Sequence, residues 1–198
     1  MSRLPAIFYR SDDVVGVAKS LIGQLLVTQF NGLRTTGMIT ETEAYHQNEK
    51  ACHAYNGRFT KRTSILFEPG GLSYIYLCYG IHSLFNVTTG KQGEAAAVLI
   101  RAFEPVHGIE KMMERRGISK LDPGISSGPG KLTQALGINL SSNGDSLTSS
   151  QQIWIEQFRP VPECEVIACP RIGVDYAGKD ALLPWRFHLK KSQWISRN

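Results

Sequence analysis

Two turn signals, each set between a pair of β-prone apolar runs, constrain this chain more than any other feature. The first is Asn31-Gly32, between Gln24–Phe30 and a run from Leu33 to Tyr45. Both residues tolerate the positive φ that a two-residue hairpin turn demands. The second is Gly80, between Leu72–Tyr79 and Ile81–Thr88. Further strands are expected at Ala95–Phe103, Ile153–Phe158, Val166–Val174 and Arg186–Leu189. Helices are few and short. Ser11 caps one whose apolar face is Val14, Val17, Ala18 and Leu21, with Gly23 to stop it. Others are expected over Val106–Arg116, ending at Gly117, and over Lys131–Leu136. Strands that come as hairpins, without alternating long helices, indicate an α+β fold. The expectation is a curved antiparallel β-sheet with a protruding β-hairpin, flanked by short helices. It forms a single compact domain over residues 1–198, with Ser119–Ser126 as an internal loop.

A hydrophobic fraction of 42% over 198 residues supplies a core and excludes a disordered chain. The formal net charge of +5 suits a polyanionic partner without demanding one. Cys52, Cys78, Cys164 and Cys169 include no close C-x-x-C pair, so they read as reduced thiols of an intracellular protein, cytoplasmic or nucleoid-associated if bacterial. No apolar run is long enough to span a membrane, and Met1-Ser2-Arg3-Leu4-Pro5 does not introduce a signal peptide. Ser127-Gly128-Pro129-Gly130-Lys131-Leu132 resembles a phosphate loop only superficially, since Leu132 stands where Ser or Thr is required. A helix start there could still bind a DNA phosphate through its free N–H groups. With no metal or dinucleotide motif, no cofactor is expected.

Three segments carry candidate chemistry. In Thr40-Glu41-Thr42-Glu43-Ala44-Tyr45, strand alternation puts Glu41, Glu43 and Tyr45 on one face. Such a face can be an acid/base site. It can also be a solvated polar face, which the segment taken alone favours. His53 by itself reads as a surface or capping residue, and Asn56–Arg62, with its three cations, as either a phosphate-following or an ordinary solvated loop. In the second hairpin Tyr74 reads as core, Tyr76 as able to stack on a base, and Tyr79 as an aromatic at an exposed tip. An exposed aromatic there could enter the gap left by a flipped base. Asn86 lies on the return strand. Arg101 interrupts the apolar run Val98–Phe103, so it must pair with an acid or face a polar site.

Taken together these segments resemble the alkyladenine DNA glycosylases, also called 3-methyladenine or methylpurine-DNA glycosylases. The resemblance runs from the Ser11 helix to the Trp194 region. It rests on Glu41-Thr42-Glu43-Ala44-Tyr45 with His53, on Tyr74-Ile75-Tyr76-Leu77-Cys78-Tyr79-Gly80 with Asn86, and on Val98-Leu99-Ile100-Arg101-Ala102. Ser127–Leu132 and Arg171-Ile172-Gly173-Val174 add to it.

The resemblance implies a monofunctional enzyme of base excision repair acting on double-stranded DNA that contains damaged purines. Alkylated purines would be its substrates, with deaminated and etheno purines as further candidates. Glu43 would activate the water and Arg101 help to hold it. Tyr45, His53 and Tyr76 would sandwich the flipped base, and Asn86 would crowd normal guanine. Tyr79 would fill the gap in the duplex, with Lys131 and Arg171 near the DNA backbone. No membrane is involved, and one lesion needs only a monomer. The rival readings are a non-catalytic nucleic-acid-binding module, which leaves Glu43, Tyr45 and His53 unused, and a hydrolase of free nucleosides, which has no use for Tyr79.

Overall fold

A computed structural model gives the fold for residues 1–196; residues 197 and 198 of the expected domain lie outside the described residues. Eight strands form one antiparallel sheet. They are β1 (Leu25–Phe30), β2 (Leu33–His46), β3 (Ser73–Cys78), β4 (His82–Thr88), β5 (Ala96–His107), β6 (Ile153–Glu156), β7 (Val166–Cys169) and β8 (Arg186–Leu189). The hydrogen-bonded order is β3-β4-β5-β2-β1-β6, with β8 joining β2 to β7. The helices are α1 (Ala6–Tyr9), α2 (Val14–Leu21), α3 (Ile109–Arg116) and α4 (Pro129–Leu136). This is the α+β architecture expected from the two hairpins.

The long strand β2 organises the site. On one side it pairs with β5 along nearly its whole length. On the other, its first half pairs with β1 and Glu41–Glu43 pair with β8. The changeover coincides with β-bulges around Ile39–Thr42, which re-aim side chains where they occur. Gly37 is required by close approach, since a Cβ there would lie 2.0 Å from the Phe103 ring.

Alternation gives the sheet two differently covered faces. Ile75, Phe85, Val98 and Ile100 join α2 and α4 in the main core, while Tyr74, Ala95 and Ala97 face a smaller cluster with Cys52, Ala54 and Leu66. Val14, Val17, Ala18 and Leu21 of α2 are all buried in the main core. Burying a Val or Leu of that set contributes about 1.5–3 kcal/mol.

Several boundaries differ from the sequence expectation. The cap of α2 is Asp13, whose side chain accepts from Gly16 N at 2.8 Å; Ser11 Oγ instead accepts from Asp13 N. The segment Val106–His107 is strand, because Thr36 and Gly37 of β2 still require partners. The helix therefore starts at Ile109, after Gly108 at φ 73°. Strand β7 ends at Cys169, before Pro170, which has no N–H to continue a ladder. Residues 171–174 are thereby released to turn into the site.

Candidate active site

Glu43 is fully buried, as is Glu41. The solvated face suggested by the segment alone is therefore excluded. Glu43 Oε2 accepts from the Tyr45 hydroxyl at 2.7 Å and from Arg101 Nη1 at 3.1 Å, and its Oε1 accepts from the Ile172 backbone N–H at 2.8 Å. Glu41 Oε1 accepts from Arg101 Nε at 3.0 Å and from Arg186 Nη1 at 3.2 Å. Burial by itself would push the Arg101 guanidinium down, but the charges of Glu43 and Glu41 more than offset this and hold it above its usual range. The two readings of Arg101 thus merge, since it is a buried ion-pair partner that also lines a cavity.

That cavity, of about 260 Å³, opens beside Tyr45, His53, Tyr74, Tyr76, Asn86 and Arg101. Glu43 lies directly behind this wall, through its bonds to Tyr45, Arg101 and Ile172. The His53 ring packs edge-on against Tyr76 at 4.6 Å between centroids, and its Nδ1 shares a 2.9 Å hydrogen bond with the Tyr74 hydroxyl. Burial, with the cations Arg62 and Arg58 nearby, pushes His53 down to about 4. Its imidazole is therefore neutral at physiological pH. Burial pushes the Tyr74 phenol up to about 12 and raises Tyr76 as well. Tyr45 is held well above its usual range by burial and then by the charge of Glu43. Asn86 Nδ2 donates to Tyr74 O at 3.0 Å, which fixes the amide at the cavity floor.

The hairpin tip is built differently. Ile81 N donates to Cys78 O at 3.2 Å, closing a turn whose central residues, Tyr79 and Gly80, lie at φ 51° and 74°. Tyr79 is 93% exposed and also borders the cavity mouth. Gly80 carries this conformation freely, whereas Tyr79 carries it under strain. Lys131 is exposed on the first turn of α4, the helix whose Pro129 lines the cavity.

Arg171 requires a correction. Rather than reaching toward a DNA backbone, its guanidinium is buried and donates to both Glu49 oxygens at 2.8 Å, to Ala44 O and to Asp180 O. It also stacks over Tyr45 at 4.8 Å and Trp185 at 5.4 Å. A buried cation must be paired, and Glu49 supplies the pair. Arg171 thus anchors the loop that delivers the Ile172 N–H to Glu43.

Sequence reasoning also passed over Glu49, Tyr74 as a partner of His53, Ile172 as a backbone donor, and Tyr176, whose ring borders the cavity. Ser196 was missed too; its N–H and hydroxyl both donate to Glu41. The Tyr74–His53 pair had a local signal, a tyrosine two residues from Tyr76 on the same strand face. The others join residues far apart along the chain.

The family model described as "Methylpurine-DNA glycosylase (MPG)" matches residues 7–193. A protein of Carboxydothermus hydrogenoformans named "Putative 3-methyladenine DNA glycosylase" is 48% identical, with 98% of each chain covered. Proteins of the same name from Chlamydia felis and Methanocella arvoryzae are 48% and 44% identical, covering 97% and 100% of this chain and 100% and 97% of their own. The matched span contains both the aromatic cavity and the carboxylate buried behind it. The chain belongs to the methylpurine-DNA glycosylase family.

Proposed function

We propose that this protein flips alkylated purines out of double-stranded DNA and hydrolyses their bond to the sugar, with Glu43 as the base that activates water. The observation that carries the reading is the environment of Glu43. A carboxylate offers about four acceptor sites. Tyr45, Arg101 and Ile172 fill three, and one site on Oε1 is left for a water. A carboxylate fixed this way meets the positional demand of general base catalysis. Arg101 lines the same cavity and has further N–H donors to steady that water.

The chemistry that follows is short. Alkylation at N3 or N7 makes a purine cationic, so the C1′–N bond breaks with its electron pair going to the base. Water oxygen then bonds to the oxocarbenium-like C1′, and Glu43 takes the proton. Among the described residues no lysine lines the cavity, which supports simple hydrolysis over a Schiff-base route. The cavity phenols Tyr45, Tyr74 and Tyr76 are raised and His53 is lowered. None of these four is an acid ready to protonate a neutral purine at neutral pH. This favours substrates that arrive already charged.

Flipping costs a few kcal/mol, least at damaged pairs. Stacking of the base among Tyr45, His53 and Tyr76 offsets a similar amount, about 1–3 kcal/mol per base. Tyr79, exposed at the cavity mouth, would fill the gap left in the duplex, and Asn86 would crowd the exocyclic amine of normal guanine. The exposed cations of the Arg58–Arg62 loop, with Lys131, suit the phosphate backbone.

Glu43→Gln tests the assignment. It should keep affinity for duplex DNA carrying an abasic-site analogue while release of free base from alkylated duplex, followed by chromatography, falls by about 10²–10⁴-fold. Full activity in the purified variant rules Glu43 out as the base.

A further inference from the structure

Arg101 serves two buried carboxylates at once, and something must decide how it is divided between them. Arginine pairs with a carboxylate most favourably through two parallel N–H bonds. Glu41 is positioned to take that share, since its Oε1 already accepts from Arg101 Nε at 3.0 Å. That fork would use Nε and Nη2, so closing it rotates the guanidinium about the Nε–Oε1 contact and shifts Nη1 from its 3.1 Å contact with Glu43.

Ser196 stands in the way. Its hydroxyl oxygen accepts from Arg101 Nε at 3.3 Å and Nη2 at 3.1 Å, occupying the edge that would fork onto Glu41. The same hydroxyl donates to Glu41 Oε1 at 2.7 Å, and the Ser196 backbone N–H donates to Glu41 Oε2 at 2.5 Å. Arg186 adds a further donor to Glu41. Glu41 thereby has four donors, three on Oε1 and one on Oε2, without the second half of Arg101, and Nη1 is left on Glu43 at 3.1 Å. Ser196 is buried, and its segment is pinned by the Thr40 hydroxyl, which donates to Trp194 O. A hydroxyl both accepts and donates, which the methyl of alanine cannot do.

We infer that Ser196 is a positioning residue for the catalytic base: by satisfying Glu41 and capping the outer edge of Arg101, it keeps the guanidinium presented to Glu43. The inference rests on Glu43 acting as the base, and the Glu43→Gln assay reports failure of that reading separately. Ser196→Ala should lower single-turnover excision from alkylated duplex about 10-fold, the size expected for losing a hydrogen bond to a charged group. Affinity for abasic-analogue duplex should be unchanged, and Ser196→Thr should recover most of the rate.

The decisive measurement is the double-mutant cycle with Arg101→Lys, since lysine has no second nitrogen to fork onto Glu41. Ser196→Ala should cost nothing further in that background. Wild-type excision by Ser196→Ala, or the same loss in both backgrounds, overturns the assignment. Should Ser196→Ala fail to fold, the cycle is run with Ser196→Cys, a weaker donor and acceptor. A rate loss confined to the arginine background then supports the assignment, and an equal loss in both backgrounds, or none, overturns it.

Discussion

The buried carboxylate cluster and the tip of the β3–β4 hairpin meet the same cavity, yet they are built in opposite ways. In the cluster, Glu41 and Glu43 are fully buried, and each is held by donors from three separate parts of the chain. Removing any one of these donors would leave a buried charge short of a partner. At the tip, Tyr79 is 93% and Ile81 73% exposed. Exposure along the hairpin is greatest at that tip. The hairpin's body is tied down by the Thr133 hydroxyl donating to Ser83 O at 2.6 Å and by Ile75 N donating to Asn143 Oδ1 at 2.8 Å. On the proposed reading, chemistry sits where geometry is over-determined, and contact with the duplex sits where the chain is most exposed.

The strongest way to break this contrast is to remove one charge from the over-determined side. Glu49→Ala leaves Arg171 buried without its carboxylate, and the expected loss is about 3–5 kcal/mol of stability. That corresponds to roughly 10 °C in Tm by calorimetry for a chain of this size. A loss below about 1 kcal/mol would mean that Arg171 relaxes into solvent as a surface charge does, and the cluster would be less rigid than its geometry states.

The cavity wall between the two regions gives the next test. Histidine ordinarily titrates near 6.5, but burial, then Arg62 and Arg58, hold His53 near 4. The unfolded chain therefore binds a proton that the folded protein refuses. This contribution to stability is complete above pH ~6.5 and is lost as pH falls from there toward ~4, by up to about 3 kcal/mol. Urea midpoints at neutral pH and at pH ~5 should converge in His53→Gln relative to the parent. An equally steep acid loss in the variant would show that His53 is not the group responsible.

The same division explains what the sequence could say. Hairpins, the shared face of Glu41, Glu43 and Tyr45, and the exposure of Tyr79 all follow from local periodicity and turn chemistry, within a few residues. Arg171 was set near the DNA backbone by the family resemblance, and nothing local in the expected strand Val166–Val174 shows whether its charge is paired. What buries it is Glu49, 122 positions away. Glu41 and Glu43 looked like a solvated face for the same reason, since their partners Arg101, Ile172, Arg186 and Ser196 come from distant segments. Charge is legible in a sequence, but whether a charge is paired is a property of the fold.

On the adaptable side the expected effects are smaller and of another kind. Tyr79→Ala should weaken binding to abasic-analogue duplex by about 1–3 kcal/mol, the worth of one aromatic stacked on a base, or roughly 10–100-fold in Kd. Its effect on Tm should be slight, since the side chain touches little in the free protein. A Tm loss as large as that of Glu49→Ala would erase the distinction between the two regions.

The smallest effect is the most discriminating, because it concerns backbone alone. Tyr79 lies at φ 51°, a conformation that costs a residue with a Cβ about 1–2 kcal/mol and glycine almost nothing. Alanine keeps the Cβ and so keeps the strain, while glycine releases it but gives back part of the gain through the greater freedom of the unfolded chain. Tyr79→Gly should therefore be more stable than Tyr79→Ala by somewhat under about 1 kcal/mol in urea unfolding, although both bind abasic-analogue duplex poorly. If the two variants are equally stable, the turn relaxes when the ring is removed, and the strained backbone of Tyr79 is then held by its own side chain rather than by the hairpin beneath it.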